Sequence, residues 1–365
     1  MEIKVNKEEF LKELNLANRF TSSRLSSNTA LQGVLLIGEE NKLHFYSTNL
    51  NFYYHSFLKL DGVGKFKVIV EPKKIIEFLS FLRADKVTVK IKEKSLLISQ
   101  EKTNGEFALF LYDEFPMPPK ITNKKQKIKA EFFRKYLPLL SFAASTDQTR
   151  PVLTGINFVS TDEGMELVAT DGFRLSLIKI KETLPFASMI VPSNFLSEAM
   201  SLLEDEKEVE FSYQEDEKTL VFYLGDKEIY TRLIEGEYPP YQKVIPLEKK
   251  TTIVVDSGEF LRNIKLISVF AKETSNIVLI ETEKDQIKIY PKTSEKENNI
   301  THQEAQIEGE PIKIAFNYRF LIDFLNHTSS KRIIIELLRQ DAPAVFKIEE
   351  NLDFLHIIMP VRIQE

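Results

Sequence analysis

The sequence predicts an α+β protein of three repeated domains, each built from two helix-plus-sheet halves. Three observations carry that expectation. An amphipathic helical pattern recurs as KEEFLKELNLANRF from Lys7, EFFRKYLPLLSFAAS from Glu131 and EFLRNIKLISVFAK from Glu259, with its aromatic anchor at Phe10, Phe132 and Phe260. A second, independent helical pattern recurs as VEPKKIIEFLSFL from Val70, VPSNFLSEAMSLL from Val191 and FNYRFLIDFLNH from Phe316, with its acidic residue at Glu77, Glu198 and Asp323. Short alternating segments of β type fill the intervals. Both registers repeat at roughly 125 residues, and self-similarity at a fixed period decides architecture before any local pattern does.

In chain order, the first helix sets Phe10, Leu11, Leu14 and Ala17 on one face and Lys12 and Arg19 on another. The second helix carries Lys73, Lys74 and Arg83. VTVKIKEKSLLIS, from Val87 to Ser99, alternates like two strands with one face buried. Glu114-Phe115-Pro116 closes the first domain, and Thr122–Lys129 reads as a linker. The third helix holds Pro138, a residue that breaks the helical hydrogen-bond ladder. Val209–Gln214 and Leu220–Gly225 read as strands; Glu237-Tyr238-Pro239 closes the second domain, with Leu247–Thr251 as the next linker. The fifth helix packs Phe260, Ile264, Ile267 and Ala271 and turns Arg262, Lys265 and Lys272 the other way. Ile287–Pro291 is a strand, and Thr293–Gln303 a solvated loop. The resulting domains are residues 1–121, 127–247 and 251–365.

Composition narrows the chemistry. With no cysteine there is no disulfide, thiolate zinc site or cysteine nucleophile. The five histidines (His44, His55, His302, His327 and His356) are scattered, without metal-ligand spacing, so no metal is expected. Neither a phosphate-cradling glycine loop nor a GxSxG elbow is present, and no catalytic constellation emerges; the expectation is a protein without catalysis or cofactor. The MEIKVNKEEF start lacks a signal-type apolar core, and no apolar run approaches the roughly 18 residues of a membrane span, which points to a cytoplasmic protein.

The net charge is −5, yet the helical segments carry a positive excess. Aligned on the repeat, one basic position recurs: Lys12, Arg134 and Arg262. If the halves curve into an arc, those helices face one centre, and a phosphodiester backbone is the polyanion that fits it. Such contacts carry no base information. An enzyme acting on nucleic acid or sugar phosphates, and a scaffold that binds only peptides, are the competing classes.

Five further segments add a resemblance: ATDGFRLS (Ala169–Ser176), RPVLTGINF (Arg150–Phe158), EYPPYQKVIP (Glu237–Pro246), FNYRFLIDFL (Phe316–Leu325) and MPVRI (Met359–Ile363). In this order and on this repeat the chain resembles the β sliding clamps of bacterial DNA polymerase III along its whole length. The resemblance implies three domains of the DNA-clamp type. They would form a head-to-tail homodimeric ring with helices inside and sheets outside, encircling double-stranded DNA. It implies no enzymatic activity and no cofactor. The implied partners are a replicative DNA polymerase subunit, an ATP-dependent clamp loader and other proteins carrying a clamp-binding motif. The implied location is the cytoplasm, at the nucleoid and replisome.

Carried over residue by residue, the resemblance implies a partner-peptide pocket of Leu153, Thr170, Gly172, Phe173, Arg174, Leu175, Pro239, Lys243, Val244, Val345, Ile358, Met359, Pro360, Val361 and Arg362, flanked by Asn317 and Phe320. Arg174 and Arg362 would offer donors to a peptide. Arg24, Lys73 and Lys74 are the implied DNA contacts. The stripe argument adds Lys12, Arg19, Arg134, Arg262 and Lys265. For dimerisation the resemblance implies that an edge of the first domain pairs with an edge of the third, so that Phe107 and Leu109 would meet Val269 and Phe270 of a second copy; apolar residues on an edge need such cover. Two departures stand out. Phe173 replaces a histidine common in the family, which makes the pocket more apolar. Gln364 and Glu365 extend beyond the usual end and place a carboxylate near the pocket rim.

Overall fold

The computed structural model describes residues 1–22, 29–83, 85–110, 114–203, 205–272, 275–292 and 299–362. Among them are the helices α1 (Lys7–Asn18), α2 (Pro72–Phe81), α3 (Ala130–Ser141), α4 (Ser193–Leu202), α5 (Ser257–Ala271) and α6 (Tyr318–His327). The starts follow from local chemistry. The Asn6 side chain accepts from the Glu9 N–H and the Asp256 side chain from the Glu259 N–H, so α1 and α5 open with the same cap. Asn317 does the same for α6 through the Arg319 N–H, and α2 opens on proline, whose missing N–H costs nothing in a first turn. Pro138 does lie inside α3, at an exposed position.

The chain divides into two compact units: Met1–Ala130 with Ser201–Leu233, and Glu131–Met200 with Ile234–Glu365. In the first, an eight-stranded antiparallel sheet runs Phe66–Val70, Val34–Glu39, Lys42–Thr48, Phe52–Lys59, Lys227–Arg232, Thr219–Leu224, Glu208–Gln214 and Gln126–Lys129. Its middle is the pairing of Phe52–Lys59 with Lys227–Arg232, which sets Tyr53 opposite Tyr230 and His55 opposite Glu228. A second sheet runs Glu2–Asn6, Lys86–Ile91, Ser95–Gln100 and Thr103–Ala108. Beneath α1, Phe10 packs near Phe45, and Phe20 stacks on Tyr54 at 5.1 Å between ring centroids.

The buried face of α1 differs from the sequence expectation. Leu11 is only half-buried, while Glu13 is buried and accepts hydrogen bonds from the Tyr54 hydroxyl (2.8 Å) and Ser56 (2.5 Å). A buried carboxylate is tolerable when donors replace its water, and the sheet beneath supplies two.

In the second unit, a nine-stranded sheet runs Met189–Pro192, Gly155–Thr161, Gly164–Thr170, Arg174–Ile180, Asn351–Ile358, Ala344–Ile348, Arg332–Leu337, Thr251–Asp256 and Gln306–Gly309. Its central pairing puts Arg174 opposite Ile358 and Leu177 opposite Leu355. A four-stranded sheet of Thr301–Glu304, Gln286–Pro291, Ile277–Thr282 and Lys313–Asn317 completes the unit. Phe316, Phe324, Phe346 and Phe354 are fully buried in its core.

Two segments read as irregular are partly strand. Gln126–Lys129, within the expected linker, pairs with Glu208–Gln214, and Thr301–Glu304, which overlaps the end of the expected loop, pairs with Gln286–Pro291. Four-residue strands are too short to show periodicity; a distant partner defines them.

Tyr54→Phe removes one of the two donors to the buried Glu13 carboxylate. It is expected to destabilise the protein by about 1–3 kcal/mol, read as a lowered denaturation midpoint. An unchanged midpoint would contradict this reading of the α1 base.

Candidate functional site

The second unit contains an apolar cavity of about 570 Å³. Its first wall is the turn Thr170–Arg174, and each residue of the TDGFR sequence has a mechanical part. Thr170 Oγ1 donates to the Arg174 carbonyl (2.6 Å) and accepts from the Gly172 N–H. Asp171 Oδ1 accepts from the N–H groups of Phe173 and Arg174, the mimicry by which aspartate closes tight turns. Gly172 has φ +91°, a conformation that side chains rarely adopt. Phe173 is thereby held at the tip, 59% exposed, with its ring beside Phe320 at 6.4 Å.

Arg174 anchors the turn. Its Nε donates to Asp171 (3.0 Å) and its Nη1 to Asp323 on α6 (2.7 Å). The guanidinium also lies 4.8 Å from the Phe320 ring centroid and 5.6 Å from that of Phe142. The side chain is 11% exposed. Rather than offering these donors to a ligand, it spends them within the fold. Asp323, picked out by the repeat as an acidic helix position, is the carboxylate that fixes it.

The second wall is the 3-10 turn Tyr241–Val244, which follows Pro239 and Pro240. Tyr241 is buried against Val168, Leu175, Leu177, Val345 and Ile357, the apolar bed of the cavity. Burial, then the Glu166 carboxylate that its hydroxyl meets, push the Tyr241 phenol well above its ordinary range; burial does the same to Tyr238. Both phenols stay neutral. The remaining wall is the chain after Asn351–Ile358: the Met359 N–H donates to the Phe173 carbonyl and the Val361 N–H to the Ala315 carbonyl, both at 2.8 Å.

Of the residues carried over from the resemblance, Leu153, Thr170, Gly172, Phe173, Arg174, Leu175, Pro239, Lys243, Val244 and Met359 line this one cavity. Val345 lies in the bed beneath. Asn317 is occupied as the α6 cap, Phe320 braces Phe173 and Arg174, Pro360 and Val361 are half-buried, and Arg362 is exposed. Ile358 is fully buried off the cavity, and its neighbour Ile357 lines it instead; along a strand successive side chains face opposite ways, so a one-residue choice changes the face. Arg150, Val152, Pro240 and Tyr241 also line the cavity, and sequence reasoning missed them although all four sit inside the quoted motifs.

Lys12 on α1 and Arg19 at its C-terminal cap are exposed, Arg19 donating to Ser201 at 2.6 Å. On α2, which neighbours α1, Lys73 and Lys74 are exposed, and Lys74 pairs with Glu71 at 2.9 Å. In the second unit Arg134 is half-buried, Arg262 is exposed 3.6 Å from Glu259, and Lys265 is exposed. Arg24, Gln364 and Glu365 lie outside the described residues. Of the residues assigned to a second copy, Phe107 on the edge strand packs on Phe78 at 5.5 Å, and Leu109 is half-buried just beyond that strand. Val269 is 65% exposed on α5 beside Phe270 at 39%.

Comparison with known proteins bears on this geometry. Family models described as the N-terminal, central and C-terminal domains of the DNA polymerase III beta subunit match residues 1–119, 127–240 and 242–362 in succession. The chain belongs to the beta sliding clamp family. The beta sliding clamp of Bacillus subtilis is 26% identical over 379 residues, covering 99% of this chain and all of that one. The clamp of Halalkalibacterium halodurans is 25% identical over 387 residues, again covering 99% and 100%. Solved folds agree. The Thermotoga maritima beta subunit matches with TM-score 0.88 at 23% identity over the full length of both chains. The Streptococcus pneumoniae beta chain matches with TM-score 0.90 at 23% identity, covering 99% of this chain and 100% of that one. The repeat architecture expected from the sequence is thus the clamp fold. No described helix is long and apolar enough to cross a membrane, and no described group of histidines and carboxylates is arranged to hold a metal.

The histidines are less scattered than their sequence positions imply. His356 is fully buried near the cavity, bonded to Ser176 at 2.9 Å and stacked on Phe324 at 5.0 Å. Burial, then the Arg174 charge, hold its pKa well below 6.5. The folded ring therefore stays neutral as pH drops through 6.5, while the unfolded chain takes up the proton there. Stability is complete above that value and is lost progressively below it, toward the lower folded pKa. His356→Phe is expected to flatten this slope, measured as the difference in melting temperature between about pH 7.5 and about pH 5.5. A variant as acid-sensitive as the parent would contradict the assignment.

Proposed function

We propose that the chain is a DNA sliding clamp: a non-catalytic processivity factor that closes head to tail with a second copy around duplex DNA. The observation that carries this reading is the succession of three clamp-domain matches along one chain, on helices that expose Lys12, Lys73, Arg262 and Lys265. In this reading the three domains are residues 1–121, 127–247 and 251–365, and twelve helices of a dimer face the duplex. Phosphate contacts of this kind hold DNA without reading it, as sliding requires. Phe107 and Leu109 of one copy cover Val269 and Phe270 of the next.

The apolar cavity is the docking site for a short peptide of a replicative polymerase subunit, a clamp loader or another clamp-binding protein. Its walls supply buried area, and Lys243 and Arg150 supply charge at its lining. Apolar anchors on the peptide fill the bed over Leu175 and Ile357, and Phe173 adds an aromatic lip.

Retention after loading tests the reading. The protein is expected to remain on nicked circular DNA at high salt and to be lost once the circle is linearised, whereas direct binding falls steeply with salt on either form. The triple change Lys12→Glu, Arg134→Glu and Arg262→Glu is expected to reduce the loaded fraction by about tenfold or more. Equal retention on circular and linear DNA would overturn the proposal.

A further inference from the structure

The face of the eight-stranded sheet turned away from α1 carries an array of titratable groups that the clamp reading does not use. His44 Nδ1 lies 3.0 Å from His55 Nε2, and His55 Nδ1 lies 3.0 Å from Glu228 Oε2. Glu228 Oε2 also accepts from the Tyr230 hydroxyl at 2.7 Å. The rings form a stack, with Tyr46 on His55 at 4.3 Å and His44 beside His55 at 5.3 Å. His55 and Glu228 stand directly opposite each other across the pairing of Phe52–Lys59 with Lys227–Arg232. That pairing joins a strand matched by the N-terminal domain model to one matched by the central domain model.

The hydrogen positions follow from the acceptors. Burial works against the Glu228 charge, but the bonds from His55 and Tyr230 outweigh it and hold the carboxyl below its ordinary range. An ionised carboxylate only accepts, so His55 Nδ1 carries a hydrogen. In a neutral ring Nε2 is then the acceptor, and it takes the hydrogen on His44 Nδ1. His44 Nε2 keeps its lone pair, 4.0 Å from Glu39. Burial and the neighbouring His55 lower the His44 pKa, opposed by Glu39 and Glu40 and assisted by Lys42. Tyr46 is pushed up to about 12 by burial, with Glu228 and Glu39 adding to it, so it offers no competing charge. Tyr223, Lys125, Lys127, Glu208, Glu210 and Asp226 border the same array from the adjoining strands and turns.

A first proton enters at His44 Nε2 and leaves every bond of the chain in place. A second proton has only His55 Nε2 to occupy. It then removes the one acceptor between the rings, leaving two N–H groups and two cations facing each other. We infer that this array is a proton-operated joint: the seam between Phe52–Lys59 and Lys227–Arg232 stays closed while His44 or His55 is neutral and loosens when both are charged.

Hydrogen exchange on the full chain tests this, with rates corrected for intrinsic exchange at each pH. Between about pH 7.5 and about pH 5, peptides covering Phe52–Lys59 and Lys227–Arg232 are expected to lose about tenfold in protection. Peptides covering Lys86–Gln100, in the other sheet of the same unit, are expected to keep theirs. His44→Phe preserves a ring in the stack and removes one proton site, and is expected to abolish the acid response. Glu228→Gln, which takes away the anion that favours the second charge, is expected to shift the response to lower pH. Nitrogen shifts of the imidazoles are expected to show His55 protonated at Nδ1 and accepting at Nε2 near neutrality. An acid response unchanged in both variants, its absence in the parent protein, or the opposite His55 tautomer would each overturn the inference.

Discussion

A sheet edge left unpaired invites aggregation, and the architecture of this chain follows from covering such edges. Two antiparallel pairings do most of that covering, each between strands far apart in sequence. Phe52–Lys59 takes Lys227–Arg232, and Arg174–Ile180 takes Asn351–Ile358. The result is one eight-stranded and one nine-stranded sheet in place of several small ones. This is why compact units and repeats do not coincide: within the middle repeat, Gln126–Lys129 and the strands from Glu208 to Arg232 group with the first unit, and the strands from Gly155 to Pro192 with the second.

The candidate pocket depends on the second of those pairings. Opposing Arg174 to Ile358 brings the TDGFR turn alongside the strand that leads to Met359, and the Met359 N–H then bonds to the Phe173 carbonyl. The guanidinium of Arg174, held by Asp171 and Asp323, ties that turn to α6. A concave apolar surface survives because its polar border is already satisfied; unpaired donors and acceptors there would favour collapse or hydration. The same arginine charge disfavours protonation of buried His356, so turn, helix and core histidine form one electrostatic group.

Much of this was legible in the residues. The helices announce themselves through the amphipathic patterns that recur from Lys7, Glu131 and Glu259, and Lys12, Lys73, Arg262 and Lys265 are exposed as helical spacing implies. Most of what escaped rests on long-range pairing; the exception is Asp171, whose partners are local. Glu13 reads as a surface acid on a helix until Tyr54 and Ser56 arrive from the sheet. Asp171 sits unremarked in its motif until its two oxygens are seen to organise the turn and Arg174. His44 and His55 are unrelated in sequence, but adjacent strands bring their rings together. Choosing Ile357 over Ile358 needed a strand register that spacing alone does not provide.

In the proposed clamp, pseudo-symmetric repeats close end to end around a duplex. Because the chain has no cysteine, a single engineered pair probes that closure cleanly. Leu109→Cys with Val269→Cys places one thiol on each surface assigned to the head-to-tail contact, and the doubly changed protein is oxidised after loading onto nicked circular DNA. The account predicts a covalently closed dimer that stays with the circle through denaturing detergent and is released when the DNA is cut. Crosslinked dimers that leave the intact circle under denaturing conditions as readily as the unoxidised protein would contradict it.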